Sequence, residues 1–372
     1  MIDRRKFLGI AAGAGASLAL TPQLLRALQQ SGATPELLHA LQQSQGKLIQ
    51  RAVPSTGEML PVIGVARGPV QNNARLAHLV DMVDPSSEAY AMLKAVVKTM
   101  VDNGGRVLDS AVGEGQQVTG MIARDLGIQN RIFWSTGLAL PPASEGTPLP
   151  DAAAMRVHLE AVFARLGVPR IDLVMVPASN ARSVSALPTI LGVLRQAKQD
   201  GRIRYIGVSE LPVPNNPYRT LESIMRNEPI DFIGVPHYHM ANRSAEERLL
   251  PLAQERKVGV MVYMPFELSR LFQRAGTRPL PEWAADFDAR TWAQFFLKYL
   301  VSHPAVTVVL PGTSSATHML DNLGGGIGRL PNEATRKRMA ELVDSFPPPQ
   351  APGQAPGRVI GQPPPVVAWL RE

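Results

Sequence analysis

Eight short apolar runs, each separated from the next by a longer stretch, constrain this chain more than any other feature. They are Val62–Ala66, Arg106–Ala111, Ile132–Leu138, Ile171–Pro177, Ile203–Ser209, Phe232–Tyr238, Val258–Met264 and Val306–Leu310. Helical periodicity fills the gaps, for example at Glu88–Val101, Asp151–Leu166, Ala245–Glu255 and Thr291–Val301. Strands that alternate with helices argue for a parallel sheet, because each helix carries the chain back to the end where the next strand begins. Eight such units predict an α/β protein with a single (β/α)8 TIM barrel spanning residues 51–345. Its functional groups belong at the C-terminal ends of the strands. A doubly wound open sheet is the alternative.

Size and composition fit that reading. At 372 residues and 45% hydrophobic content, a folded chain buries about three-quarters of its unfolded surface, and α/β barrels of this length form one domain. Cysteine is absent, which excludes disulfides, thiolate metal sites and a thiol nucleophile. The net charge of +7 is spread along the chain without a long basic block, a solvated surface rather than a nucleic-acid-binding one.

Within the last unit, Val306 to Asn322 reads VTVVLPGTSSATHMLDN. A β-branched run stops at Pro311, passes through small residues and resumes as a helix. Gly312 lets backbone approach a ligand, and the hydroxyls of Thr313, Ser314 and Ser315 can cap the helix or hold an anion. An ordinary strand-to-helix turn with an N-cap is the plainer reading of the same residues.

Both ends of the chain fall outside the barrel. Residues 1–20, MIDRRKFLGIAAGAGASLAL, place Arg4 and Arg5 before a short Ala/Gly-rich stretch. That stretch is too short and too weakly apolar to span a bilayer, so no stable membrane span is expected in the mature protein. The order D-R-R-K-F-L resembles a twin-arginine export signal. The resemblance implies the twin-arginine export machinery as a partner, bacterial origin and a periplasmic destination. Residues 21–50 read as a helical leader. The tail, 346–372, is Pro-rich and expected to run extended, strapped across the surface.

Several blocks together resemble the aldo-keto reductase family. Gly201-Arg202-Ile203-Arg204-Tyr205-Ile206-Gly207-Val208-Ser209 is similar to that family's fifth strand, and Ala245 to Ala253 is similar to its sixth helix. Ser302-His303-Pro304-Ala305-Val306 leads into its phosphate loop. The likeness runs over roughly residues 50–345. It implies a barrel that holds an extended nicotinamide dinucleotide, NADP or NAD, and acts on a small carbonyl-type substrate. By the same resemblance, Ser209 holds the carboxamide and Tyr263 stacks under the nicotinamide ring. Gly312, Thr313, Ser314, Ser315, Asp321 and Asn322 match the adenosine-phosphate loop and adenine contacts.

The family's chemistry uses a tyrosine acid, a lysine paired with an aspartate, and a histidine that orients the substrate. Here the aspartate is present as Asp109, while Glu114 stands at the tyrosine position, Gly137 at the lysine and Pro177 at the histidine. The cofactor contacts differ too. Glu210 follows Ser209 where the family has asparagine, Gly234 stands for a glutamine, and Gly312 and His318 replace basic residues facing a 2′-phosphate. Neutral His318 pairs poorly with phosphate.

Without a lysine partner, a buried Asp109 is expected to have a raised pKa, raised further by a nearby Glu114 carboxylate. Such a carboxylic acid pair is a candidate proton donor. His237 and His239 share a face if strand six continues through them, but no third ligand accompanies them and no metal site is expected. Two functions follow: an oxidoreductase with weak or altered carbonyl reduction, and a catalytically inactive periplasmic binding or scaffold protein.

Overall fold

The computed structural model describes residues 46–67, 84–140, 146–178, 180–210 and 218–348. The export signal, most of the helical leader and most of the Pro-rich tail lie outside these. Gln50, the last residue of the expected leader, already opens a hairpin strand, β1 (Gln50–Ala52), which pairs antiparallel with β2 (Met59–Pro61).

Eight parallel strands follow: β3 (Val65–Arg67), β4 (Val107–Asp109), β5 (Phe133–Gly137), β6 (Ile171–Pro177), β7 (Ile203–Ser209), β8 (Phe232–Pro236), β9 (Gly259–Tyr263) and β10 (Val306–Leu310). Neighbours in sequence are neighbours in the sheet. A two-residue strand, β11 (Gly312–Thr313), pairs with Ala66 and Arg67 of β3, so the ninth strand in the sheet lies beside the first. Closure is completed by an isolated parallel bridge between Ile63 and Val309. There the Gly64 amide donates to the Val309 carbonyl at 3.0 Å, and the Val309 amide to the Val62 carbonyl at 2.8 Å. The result is a (β/α)8 barrel, not an open sheet.

Strand limits follow the apolar runs, with three differences of more than one residue at an end; the second run yields only Val107–Asp109. The first run yields a regular strand only over Val65–Arg67. The sixth stops at Pro236, because His237 takes a left-handed φ of 60°. The same-face relation expected of His237 and His239 therefore does not arise.

Side chains that point inward from alternate positions fill the barrel. Phe133, Tyr205 and Phe232 form its aromatic middle, with ring centroids 5.4–6.5 Å apart. At the N-terminal end, Val53 and Leu60 of the hairpin region join this interior. Glu58 closes that end: it accepts from Arg106 at 2.9 Å and from the Tyr205 hydroxyl at 2.8 Å, and it also pairs with Arg204. Arg204 in turn reaches Asp172 at 2.8 Å. One end of the barrel is thereby sealed, which leaves the C-terminal strand ends as its mouth.

The outer helices bury apolar faces of different extent. Glu88–Asp102 buries Leu93, Val96, Val97 and Met100, positions three and four apart, and starts at Ser87, whose side chain accepts from the Tyr90 amide. Trp292–Val301 is buried along its length and capped by Thr291. Phe346, where the tail begins, is buried and meets the Trp292 ring edge-on at 5.6 Å.

Candidate active site

Alternation along β4 turns Val107 and Asp109 inward, and along β5 it turns Phe133 and Ser135 inward (the register pairs Asp109 with Ser135). Asp109 is thus placed at the C-terminal end of its strand, only 5% exposed. Three donors hold its carboxyl. Ser135 Oγ donates to Oδ2 at 2.6 Å. The Ala111 amide donates to Oδ1 at 3.0 Å, from a backbone that turns left-handed just past the strand (φ 55°). The third donor is the Tyr263 hydroxyl, 3.2 Å from Oδ2, which arrives from β9 across the barrel.

Burial raises the Asp109 pKa, and the hydrogen bonds from Ser135, Ala111 and Tyr263 oppose that rise. The direction matches the expectation from the missing lysine, but Glu114 takes no part in it. That residue is exposed in the first turn of the helix Glu114–Asp125, after Gly113 at φ 64°. The groups that act on the Asp109 carboxyl are a phenol, a hydroxyl and a backbone amide, and Glu114 is not among them. Tyr263 is pushed well above the usual phenol range, first by burial and then by the Asp109 charge.

Gly137 and Pro177, which the resemblance sets against the family's lysine and histidine, have distinct surroundings. A Cβ built on Gly137 would lie 2.6 Å from Val112 Cγ1, so Val112 fills the space where a longer side chain would start. The Gly137 carbonyl accepts from Gln116 Nε2 at 2.9 Å, and the same amide nitrogen reaches Thr136 Oγ1 at 2.9 Å. Pro177, at the end of β6, pairs in register with Ser209 of β7, and Ser209 with Gly234 of β8. A Cβ on Gly234 would lie 2.8 Å from both Ser209 Cβ and Tyr263 Cε2. The Tyr263 ring therefore lies over bare backbone, beside Ser209, and only glycine leaves that seat open. Glu210, next in the chain, is buried and accepts from the Leu221 amide at 3.0 Å, an N-terminal helix contact.

At the far side of the mouth, the run after β10 forms the anticipated loop and helix. Gly312 is exposed; Thr313, Ser314 and Ser315 are half-buried. Ser315 caps the helix Ala316–Gly324, accepting from the His318 amide at 3.3 Å, while Thr313 Oγ1 accepts from the Ser315 amide at 3.1 Å. His318 itself is exposed. Amides at a helix start with hydroxyls around them suit an anion. Asp321 is differently employed: it accepts from Thr291 Oγ1 at 3.0 Å and Gln294 Nε2 at 2.8 Å, tying its helix to Trp292–Val301. Asn322 is buried, 3% exposed.

His239 is buried and neutral at physiological pH, its pKa lowered to about 4, chiefly by burial. Its Nε2 lies 3.7 Å from Glu267, too far for a hydrogen bond and, with the ring uncharged, not an ion pair. Among the described residues, no group of three His, Cys, Asp or Glu is placed to hold a metal ion.

Sequence reasoning missed one member of this site, Ser135, and one contact within it. Ser135 stands two residues before Gly137 and so shares its face, a signal that strand periodicity offered. The contact between Tyr263 and Asp109 had no such signal, since the residues are 154 positions apart.

A model of the Aldo/keto reductase family matches residues 83–337. Among solved structures, the holo form of an aldo-keto reductase from Bacillus halodurans is similar at 20% identity. It aligns with a TM-score of 0.60 over 79% of this chain and 96% of that one. An aldo/keto reductase from Klebsiella pneumoniae in complex with NADP and acetate shows 21% identity over 82% and 97%, with a TM-score of 0.57. The Klebsiella pneumoniae enzyme in complex with NADPH gives 21%, 82% and 98%, with a TM-score of 0.58. At these identities the likeness is one of fold.

Proposed function

The chain belongs to the aldo/keto reductase family, and from that membership we propose that it is a nicotinamide-dependent oxidoreductase with weak or altered carbonyl reduction. Three of the four reactive positions carry Glu114, Gly137 and Pro177, so the family's usual proton donor and its activating lysine are replaced. The observation that carries the reading is the buried Asp109 carboxyl at the barrel mouth, held by Ser135 and Tyr263. A pure scaffold has no need of an acid kept in that place at the cost of burial.

NADP or NAD is the cofactor of this proposal; similar structures hold NADP or NADPH. The residues fit in part. The Gly312–Ser315 loop and the helix start behind it suit a phosphate, and His318 is exposed beside them. Ser209 lies beside the Tyr263 ring, which fills the space over Gly234 and would offer its face to a nicotinamide. Asp321 and Asn322 are committed to packing within the protein and are weak candidates for adenine contacts. When bound, a reduced nicotinamide supplies hydride. The chain's own residues orient the carbonyl compound, exclude water from the mouth and deliver the proton.

The second reading, an inactive binding or scaffold protein, is favoured by Val112 closing over Gly137. One assay separates the two: NADPH and NADH titrated in a thermal-shift measurement, followed by cofactor oxidation over an aldehyde panel from acid to neutral pH. Binding with turnover supports the oxidoreductase. No turnover at any pH by protein shown to be folded ends it, and absence of any shift leaves the scaffold.

We further propose that residues 1–20 direct twin-arginine export to the periplasm. Lysines in place of Arg4 and Arg5 should abolish export of a fused reporter, and unchanged export would remove this part of the reading.

A further inference from the structure

We propose, resting on the cofactor reading above, that Asp109 is a positioning residue for the nicotinamide: it tethers the Tyr263 ring, so that the cofactor meets a platform already fixed in place. On this assignment the aspartate works through the phenol and touches neither substrate nor cofactor.

The tether joins two walls of the barrel. Tyr263 ends β9, and its hydroxyl donates at 3.2 Å to Oδ2 of Asp109, the last residue of β4. The carboxyl that receives it cannot turn away. Ser135 Oγ holds the same oxygen at 2.6 Å, and the Ala111 amide holds Oδ1 at 3.0 Å. Among the described residues these are the groups that act on Asp109, and no cation is among them. With Asp109 only 5% exposed, water scarcely competes for its oxygens.

The tether matters because of what lies against the ring. On the Gly234 side there is backbone and the short Ser209 side chain, with no larger group to buttress it. The hydroxyl is enclosed while the residue as a whole is half-buried, so the open part of Tyr263 is not its hydroxyl. A flat ligand at the strand ends meets the ring face. Register places the rest of such a ligand. Tyr263 pairs with Leu310 of β10, two residues before Gly312, so platform and phosphate loop open from adjacent strands.

A ring fixed before binding carries an advantage in affinity. A ligand that must itself order a free side chain loses about 2–10-fold, and the stack it gains is the same either way. Removing either end of the tether costs that factor, and only for a ligand that bears a nicotinamide.

The test uses the full chain and compares two ligands by titration calorimetry: NADPH, and 2′-phospho-ADP-ribose, which has the phosphates and adenosine but no nicotinamide. Wild type should bind NADPH the more tightly. Tyr263→Phe keeps the ring and drops the tether, and Asp109→Ala drops it from the other end. Each should weaken NADPH about 2–10-fold and leave 2′-phospho-ADP-ribose unchanged, a split that a general structural defect does not produce. The double variant should lose no more than either single one. If circular dichroism shows Asp109→Ala unfolded, Tyr263→Phe decides alone. Equal losses for both ligands, additive losses in the double variant, unchanged NADPH affinity, or a wild type that binds the two ligands equally would overturn the tether and leave the cofactor reading intact. Wild type that binds neither ligand overturns both.

Discussion

Replacing Gly234 with alanine tests the seat on which the site depends. The added methyl would stand 2.8 Å from Ser209 Cβ on one side, 2.8 Å from Tyr263 Cε2 on the other and 3.4 Å from Met175 Sδ. Carbon atoms rest at about 3.5–4.0 Å, so each of the two close contacts is short by roughly 0.7 Å. Ser209 Cβ is bonded to the backbone of the adjoining strand and cannot retreat. The Tyr263 ring can swing, but only by leaving Asp109. Overpacking of this kind costs about 1–3 kcal/mol, and the lost hydrogen bond adds roughly 1 kcal/mol. For a domain of this size, a destabilisation of about 2–4 kcal/mol lowers Tm by roughly 4–8 °C. Calorimetry or circular dichroism melts read the shift, and NADPH affinity should fall with it. The control is the same substitution in a Tyr263→Ala background, where the ring is absent and at least half of the cost should vanish. An equal loss of Tm in both backgrounds would show that the ring does not rest on Gly234 and would refute the reasoning.

Other perturbations have definite signs. Because burial raises the Asp109 pKa, its contribution to stability is present below the unfolded carboxylate range and is lost as pH rises through the folded value. Asp109→Asn should therefore gain stability relative to wild type on going from acid to neutral pH, read as the difference in urea midpoints. His239 has the opposite dependence. Its folded pKa of about 4 against an ordinary 6.5 means the unfolded chain binds the extra proton, so stability falls from pH 6.5 down to about 4. The loss reaches on the order of 3 kcal/mol, and His239→Gln should flatten that part of the acid limb of the stability curve. Ser315→Ala removes the cap on the phosphate-loop helix and should cost about 1 kcal/mol. NADPH affinity should fall with it, measured by titration against the melting shift.

What could be read in advance was whatever depends on local order. Strand and helix alternation is a property of neighbours in sequence, so eight apolar runs and the capped turn at Ser315 were legible, and so was the family resemblance. Closure of the barrel, by contrast, joins Ile63 to Val309, and a periodicity cannot say whether a sheet shuts. The fate of His237 was equally hidden, since one left-handed residue ends a strand without changing its composition. The partner of Asp109 lay deepest of all. Spacing within one loop suggested Glu114, five residues on, because chain proximity is all that a sequence displays directly. Folding brought Tyr263 there from the other side of the barrel, over Gly234, whose missing side chain left room. Residue identities determined which groups were available to this protein. Which of them meet was decided by barrel geometry, because contacts across a closed sheet are set by register and curvature rather than by distance along the chain.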